Sequence, residues 1–284
     1  KERAAASAKE GFYQVTRIYD VSGGWNEPKL IREMKPGQMI EKVIEKGDEW
    51  FGLGRTPDDG IAVFNLSEAS EPELIATHPM IGGGWTVEGD FLYVVSGRPD
   101  GKQGGLSIFE FADFKRPPKL IGRLNTFDRR YMEDRSRWHS PLVRGDTVFA
   151  LDYFFGLVAI DVSNKAKPRI VGGLHTAGEA FCLDVSDNRI FIGENMGGLT
   201  IMDNRVPEQA RIVGNFGVGG GWGVFAKDNV AFCANLTGLM IVDSKDPQNP
   251  IELSYADKIY NALAVKVDGD YAYCMGNGGY GDIF

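Results

Sequence analysis

A strand-forming sequence pattern recurs along this chain and limits the folds that it can adopt. Each copy has a glycine, an alternating apolar run, an acidic or amide residue, a polar turn with proline and a second apolar run. Five copies begin at Gly60, Gly105, Gly156, Gly198 and Gly238, at intervals of 40 to 51 residues, and a looser copy begins at Gly11. A regular period of this length is typical of a repeat architecture.

A second regular unit lies between the copies, in which two apolar runs flank a short polar turn. Examples are "PLVRGDTVFALD", "CLDVSDNRIFIG" and "GVFAKDNVAFCAN". Gly-Asp or Asp-Asn between alternating apolar runs indicates a two-residue hairpin, and no segment between them has the 3.6-residue period of a helix. Each repeat therefore supplies about four short strands, as a β-propeller blade does.

The number of copies predicts an all-β fold, a six-bladed β-propeller that spans residues 11–284 as a single domain. The last copy supplies two strands, so we expect the last blade to be closed by N- and C-terminal strands. The terminal "YGDIF" is an alternative strand for that blade. Residues 1–10 are interpreted as a leader segment.

Two copies, "GLVAIDVSNKAKPRIVG" and "GLMIVDSKDPQNP", resemble the LVIVD repeat, which defines a bacterial and archaeal propeller family. The resemblance extends over Gly11 to Phe284, although Asn65 and Glu110 replace the usual Asp. It implies a propeller and often an exported protein. It implies no single activity, because a fold does not by itself confer function.

Charge and composition exclude several partners. The net charge of −8 argues against nucleic acid or an anionic membrane surface as a partner. No apolar run approaches the roughly 18 residues of a membrane span. Cys182, Cys233 and Cys274 lie in apolar runs and are interpreted as buried free thiols.

The acidic residue that recurs in the repeat has a structural interpretation. Asp161, Asp203 and Asp243 each follow an apolar run and precede a polar turn. A carboxylate at this point accepts backbone N–H bonds of the turn. Because a catalytic site needs asymmetry and these residues repeat, we do not assign them a catalytic role.

A ligand site is expected where equivalent positions of the repeats differ. Counted from the hairpin Asp, the seventh residue ends the second strand of each repeat. This set contains Arg55, Gly97 with Arg98 beside it, Tyr153, Glu194, Asn235 and Asn277. Arg55 and Arg98 fall in adjacent repeats and together suit a carboxylate.

A second set precedes each innermost strand on the same rim. It contains Met39, Trp85, His139, Glu179, Trp222 and Asn261, with Tyr260 beside the last. The sequence "GGGW" occurs twice in this set, and its two tryptophans lie three repeats apart. We therefore expect Trp85 and Trp222 to face each other across the axis, where aromatic rings suit a planar or cationic ligand. Alternatively, both simply plug the channel.

Proton transfer is expected from the same rim. His139 or His175, tuned by Glu179 or Glu194, would exchange protons with a substrate, and His78 lies near them. The arginine-rich insertion "NTFDRRYMEDRSRWHS" is either a lid over the rim or a solvated loop. No cofactor is expected, although His139, His175 and Glu179 together would suit a divalent metal.

These observations support two hypotheses. The first is an enzyme without a redox cofactor, of the lyase, hydratase, isomerase or lactone-hydrolase type, acting on a small organic acid or onium compound in the central channel. In this hypothesis Trp85, Trp222, Arg55, Arg98, Tyr153, Asn235, Tyr260 and Asn277 bind the substrate. The second is a non-catalytic exported propeller that binds a protein or glycan through one rim.

Overall fold

The computed structural model describes ten segments of the chain: residues 17–20, 29–33, 40–56, 60–67, 72–79, 84–96, 105–125, 138–152, 156–217 without residue 196, and 221–283 without residues 258–261, 269–270 and 277–280. All regular structure in these segments is β, apart from one short 3-10 helix at Pro207–Gln209. The chain divides into two compact units, Lys1–Gly82 with Phe111–Lys119, and Gly83–Glu110 with Leu120–Phe284.

The first unit contains two antiparallel sheets. Strands β1 (Arg17–Asp20) and β2 (Lys29–Glu33) form a two-stranded sheet. A four-stranded sheet follows, with β3 (Lys42–Lys46), β4 (Glu49–Arg55), β5 (Ile61–Asn65) and β6 (Glu73–His78) in that order. The segment Phe111–Lys119 packs on this unit, where the Phe114 ring meets Phe51 edge-on with centroids 5.2 Å apart.

The second unit contains four sheets of four strands and one of three. The first two sheets comprise β7 (Gly84–Glu88), β8 (Phe91–Ser96), β9 (Gly105–Glu110) and β10 (Lys119–Leu124), and then β11 (Trp138–Arg144), β12 (Thr147–Asp152), β13 (Gly156–Asp161) and β14 (Arg169–Leu174). The next two comprise β15 (Ala180–Ser186), β16 (Arg189–Glu194), β17 (Gly198–Asp203) and β18 (Arg211–Phe216), and then β19 (Gly221–Lys227), β20 (Val230–Asn235), β21 (Gly238–Asp243) and β22 (Ile251–Ala256). The three-stranded sheet comprises β23 (Ala262–Asp268), β24 (Tyr271–Gly276) and β25 (Gly281–Ile283).

Six of the sheets in the described segments begin with the predicted hairpin. In four-stranded sheets such as β15–β18, neighbouring strands are consecutive in the sequence and antiparallel, which is the strand order of a propeller blade. The prediction of an all-β repeat with six hairpin-led sheets is therefore confirmed. Whether residues 11–284 form a single domain stays a prediction, and the leader lies outside the described residues.

The last sheet differs from the prediction in the source of its third strand. Strand β25 pairs with β24, with Cys274 opposite Asp282. Strands β1 and β2 pair with each other in a separate sheet. Because Gly281–Ile283 occupies the edge of β24, the C-terminal alternative and not an N-terminal strand supplies the third strand.

The repeated acidic residue caps the turn that follows the third strand. The side-chain Oδ1 of Asp161 accepts the N–H of Ser163 at 2.9 Å, and Asp243 accepts that of Lys245 at 2.8 Å. Asn65 makes the same contact with Ser67 at 2.9 Å. These contacts confirm the structural interpretation and show why an amide replaces the carboxylate at Asn65 without loss.

Glycines in the outer strands of the second unit allow close packing of consecutive sheets. A Cβ atom on Gly122 of β10 would lie 1.9 Å from the carbonyl oxygen of Lys165, in the turn between β13 and β14. A Cβ atom on Gly214 of β18 would lie 1.5 Å from that of Pro247, in the turn between β21 and β22. Each of these turns therefore packs on the outer strand of the preceding sheet.

Candidate functional site

Three polar side chains lie buried where the second strands of consecutive sheets end. Asp152 of β12 is 2% exposed, Glu194 of β16 is 0% exposed and Asn235 of β20 is 2% exposed. They are equivalent by register, since each is the sixth residue of its strand and pairs with the glycine that opens the third strand. Buried polar groups are costly unless they are paired, which makes this row a candidate site.

The register corrects part of the predicted set of strand ends. In the Gly-Asp hairpins the aspartate is the second turn residue, as Asp146 is, whereas Asp187 and Asp228 are the first. Counting seven residues from the aspartate therefore gives Glu194 and Asn235 correctly. It selects Tyr153 one residue too late, and the equivalent residue is Asp152.

Asn235 has a structural role within this row. Its Oδ1 accepts the backbone N–H groups of Thr237 at 3.0 Å and Gly238 at 2.8 Å. The Thr237 hydroxyl donates to the same oxygen at 3.1 Å. Asn235 therefore caps the turn between β20 and β21 and is not assigned a ligand contact.

Glu194 has a different environment from Asn235. Its Oε2 accepts the N–H of Gly178 at 2.5 Å, whereas its buried Oε1 has no hydrogen-bond partner among the described residues. A Cβ atom on Gly197 would lie 2.1 Å from Oε2, so the glycine makes room for the carboxylate. A fully buried carboxylate with one oxygen unsatisfied indicates a site that a ligand or water completes.

His139 lies near the start of β11, in contact with the neighbouring sheet. Its Nδ1 lies 2.9 Å from Ser140 Oγ, which donates to the carbonyl oxygen of Phe181 at 3.3 Å. Burial lowers the pKa of His139, while a backbone hydrogen bond with Ala180 and the charge of Asp152 act in the opposite direction. The imidazole is therefore neutral near pH 7 and able to accept a proton.

Ser140 adopts a backbone conformation that is unusual for its residue type. Its φ angle is +49°, in the left-handed region that favours glycine. The strand register shifts between His139 and Leu142, so Ser140 and Pro141 form a bulge in β11. Strained residues and bulges concentrate at functional sites, where they redirect side chains.

Phe181 and Trp222 form a stacked aromatic pair, and the backbone carbonyl of Phe181 accepts the hydrogen bond from the Ser140 hydroxyl. Their ring centroids lie 4.3 Å apart with an interplanar angle of 24°. Each residue is the bulged position of its strand, since the register shifts between Ala180 and Cys182 in β15 and between Gly221 and Gly223 in β19. Both rings are partly buried, and Trp222 Nε1 is buried with no partner among the described residues.

The two GGGW copies occupy different registers. Trp85 pairs with Val94, the fourth residue of β8. Trp222 is the bulge residue between Gly221 and Gly223, and Gly223 pairs with Ala234, the fifth residue of β20. The residue equivalent to Trp85 is Val224, so the two tryptophans do not occupy equivalent strand positions. That they face each other across the axis stays a prediction. The indole Nε1 of Trp85 is nevertheless buried without a described partner, like that of Trp222.

The last glycine of each copy, Gly84 or Gly221, serves strand packing. A Cβ atom on Gly84 would lie 2.8 Å from Ser140 N, and one on Gly221 would lie 2.9 Å from Gly193 Cα. Gly84 lies in β7 and Gly221 in β19, so neither belongs to a loop. The missing side chains bring the backbones of adjacent sheets together, β7 against β11 and β19 against β16.

The remaining predicted catalytic residues, His175 and Glu179, are less buried than Asp152, Glu194 and Asn235. His175 is exposed, and Glu179 is partly buried and accepts Asn195 Nδ2 at 3.0 Å. His78, in the first unit, is a core residue: it is 3% exposed, and its Nε2 lies 2.8 Å from the carbonyl oxygen of Phe114.

The predicted arginine clamp stays a prediction, because Arg98 lies outside the described residues. Arg55 in the first unit forms an ion pair with Glu41 at 3.4 Å. Tyr153, Tyr260 and Asn277 also lie outside the described residues, as do residues 126–137 of the arginine-rich insertion. The three cysteines are free, with Cys233 and Cys274 buried and Cys182 partly buried. Burial raises the pKa of the Cys182 thiol to about 12.

The described residues contain no group of three or more His, Cys, Asp or Glu side chains that could hold a metal ion.

Three residues of the candidate site were missed by sequence reasoning, namely Asp152, Ser140 and Phe181. For Asp152 the signal was present, since "RGDT" and "SDNR" place the aspartate differently in the turn. For Ser140 and Phe181, the bulges that position them leave no mark in the apolar pattern.

Solved structures with the same fold are β-propellers and share little sequence with this chain. A proposed 6-phosphogluconolactonase from Bacteroides uniformis superposes with a TM-score of 0.72 at 10% identity, covering 97% of this chain and 89% of that chain. The periplasmic gluconolactonase of Pseudomonas aeruginosa gives 0.66 at 11% identity, with coverage of 88% and 79%. Sqt1 of Saccharomyces cerevisiae gives 0.62 at 11% identity, with coverage of 95% and 78%.

These likenesses define the class of the chain, which is that of the β-propellers. Within that class the chain carries the LVIVD repeat, which matches residues 145–176, a stretch that includes β12, β13 and β14. The resemblance noted from the sequence is thereby confirmed for these residues. No curated protein matches the chain. In the described part of the chain, no helix is long and apolar enough to cross a membrane.

Proposed function

We propose that the chain is an enzyme that hydrolyses a small lactone or related ester at the starts of β11, β15 and β19. The observation that carries this proposal is His139, a neutral, partly buried imidazole that feels the charge of Asp152. Its neighbour Ser140 donates to the backbone carbonyl of Phe181, which belongs to the stacked Phe181–Trp222 pair. A buried base on a strand joined to one that carries an aromatic pair suits acid–base chemistry on a small ring. The two lactonase-related neighbours add support at the level of the fold.

The proposed reaction needs one base and one water molecule. His139 takes a proton from water while the water oxygen attacks the lactone carbonyl carbon. The nearby charge of Asp152 stabilises the imidazolium that forms. The ring C–O bond then breaks, the imidazolium returns its proton to the leaving oxygen, and the product is a hydroxy acid. The stacked rings of Phe181 and Trp222 orient the substrate.

Turnover of lactones by histidine variants tests this proposal. With D-glucono-1,5-lactone and δ-valerolactone as probes, His139→Gln is expected to lower kcat at least about 100-fold, the usual contribution of a general base. His175→Gln is the matched control, because His175 is exposed, and we expect a change of less than about twofold. Hydrolysis by His139→Gln at the wild-type rate, or no hydrolysis of either lactone by the wild type, would overturn the proposal.

A non-catalytic role remains the second candidate, and one observation favours it. Strand β22 exposes Ile251 at 62%, Leu253 at 56% and Tyr255 at 36%, whereas a turn of the next sheet packs on β10 and on β18. An apolar strip of this kind suits a protein partner. Export is part of both proposals, supported by the periplasmic neighbour. Recovery of one stoichiometric protein partner that Leu253→Asp abolishes would favour this candidate.

A further inference from the structure

The chemistry of the unsatisfied groups at the candidate site restricts the ligand class. Glu194 Oε1 and Trp222 Nε1 are both buried and have no partner among the described residues. A carboxylate oxygen accepts hydrogen bonds, and an indole N–H donates one. The site therefore offers one buried acceptor and one buried donor.

Both groups belong to strands that meet closely. Gly221, which precedes Trp222 in β19, approaches the end of β16, where its missing Cβ would lie 2.9 Å from Gly193 Cα and 3.6 Å from Glu194 N. Strand β15 also packs against β19, and Phe181 of β15 stacks on the Trp222 ring. The aromatic pair and the buried carboxylate are thus held on adjoining strands of one unit.

Three ligand chemistries can be compared at this site. An ammonium group satisfies the carboxylate and leaves the indole N–H unpaired. A carboxylate group satisfies the indole N–H and leaves Glu194 Oε1 without a donor. A hydroxyl group donates to the carboxylate and accepts from the indole, and it carries no charge.

We infer that the ligand of this site is a neutral, multiply hydroxylated ring, such as an aldonolactone or a sugar, and that Glu194 and Trp222 determine this specificity. The inference rests on the proposed function for the reaction and adds the substrate class. Stacking of a sugar-like ring against aromatic side chains, with hydroxyls bound by carboxylates, combines the apolar and polar parts of such a ligand. It replaces the small organic acid or onium compound expected from the sequence.

Binding of four small probes, three of them six-membered rings and one an open-chain anion, tests the inference. The probes are D-glucono-1,5-lactone, δ-valerolactone, D-gluconate and N,N-dimethylpiperidinium, titrated into the full chain by calorimetry, with the hydrolysis-deficient His139→Gln used for the lactones. We expect the hydroxylated lactone to bind at least about tenfold more tightly than the other three. A tenfold ratio corresponds to one good hydrogen bond to a charged group.

Two substitutions separate the specificity from the stacking. Trp222→Phe keeps an aromatic ring against Phe181 and removes the indole N–H, and Glu194→Gln removes the charge at nearly constant volume. Each is expected to reduce the preference for the hydroxylated lactone over δ-valerolactone to less than about threefold. Trp50→Phe is the matched control, since Trp50 is 46% exposed and lies in the other unit, and it is expected to leave the preference unchanged.

The outcomes distinguish this inference from the proposed function. If the preference persists in both variants, or if the anion, the cation or δ-valerolactone binds more tightly than the hydroxylated lactone, the specificity inference is overturned. If the hydroxylated lactone binds as expected but is never hydrolysed, the proposed reaction fails and the assignment of the ligand class stands. Absence of binding by all four probes overturns both.

Discussion

The imidazole of His139 is subject to opposing influences. Burial lowers its pKa from the ordinary value of 6.5, and the charge of Asp152 and a backbone hydrogen bond with Ala180 raise it less. The net effect is a folded-state pKa below 6.5. A general base works in its deprotonated form, so His139 remains active at pH values where an exposed histidine is already half protonated.

This residue-scale account predicts a pH profile. The acid limb of kcat/KM for lactone hydrolysis is expected to inflect below pH 6.5. Asp152→Asn removes a charge that favours the imidazolium, so it should move the inflection to a still lower pH. Initial rates measured between pH 4 and 8 check both points. An inflection above pH 6.5, or one that Asp152→Asn leaves in place or raises, contradicts the assignment of His139 as base.

Individual residues also show where sequence reasoning succeeded and failed. Asp161 and Asp243 were interpreted correctly as turn caps, because a local contact two residues along the chain depends on local sequence alone. Asp152 was missed, because its position depends on which hairpin residue closes the turn. His78 was grouped with the rim, but it is a core side chain bonded to a segment 36 residues away.

Single elements explain how neighbouring sheets of the second unit are held together. Arg189 of β16 donates from Nη1 to Asn229 Oδ1 at 3.0 Å and also to the carbonyl of Ser244, and from Nη2 to the carbonyl of Lys245 at 3.1 Å. One guanidinium therefore joins β16 to a hairpin and a turn of the next sheet. Its planar, forked donors suit three acceptors at once.

This arrangement predicts a measurable stability difference. Arg189→Ala is expected to lower the free energy of unfolding by about 2 kcal/mol, the scale of hydrogen bonds made by a charged group. Arg169→Ala is the control, because the Arg169 side chain is 69% exposed and pairs with Asp161 at the surface, and such pairs are worth about 0–1 kcal/mol. Urea unfolding measures both values, and an equal loss in the two variants would count against the joining role of Arg189.

Elements also explain the two registers of GGGW. The same four letters begin β7 without a bulge and enter β19 through one, so Trp85 and Trp222 lie at different heights on their strands. A bulge adds one residue to a strand and shifts the pairing register beyond it. Strand existence could therefore be predicted from the sequence, whereas the exact register at the strand start could not.

At the scale of the whole molecule, features that every repeat shares could be predicted, and features that the repeats do not share could not. The β-propeller class could be predicted, because each repeat specifies its own four strands and the pattern recurs. The source of the third strand of the last sheet was predicted less well, since two segments competed for one edge. The candidate site depends on Ser140, Phe181 and Trp222, which the repeats do not share, and their contacts are set by packing between sheets.

The account depends on one claim, that the starts of β11, β15 and β19 form a ligand site lined by His139, Phe181 and Trp222. A crystal structure of His139→Gln soaked with D-glucono-1,5-lactone tests it most directly. We expect density for a ring beside the Phe181–Trp222 pair, with a hydroxyl within hydrogen-bond distance of Glu194. Density confined to the exposed strip of β22, or to the surface pocket lined by Arg205 and Arg211, would contradict the account.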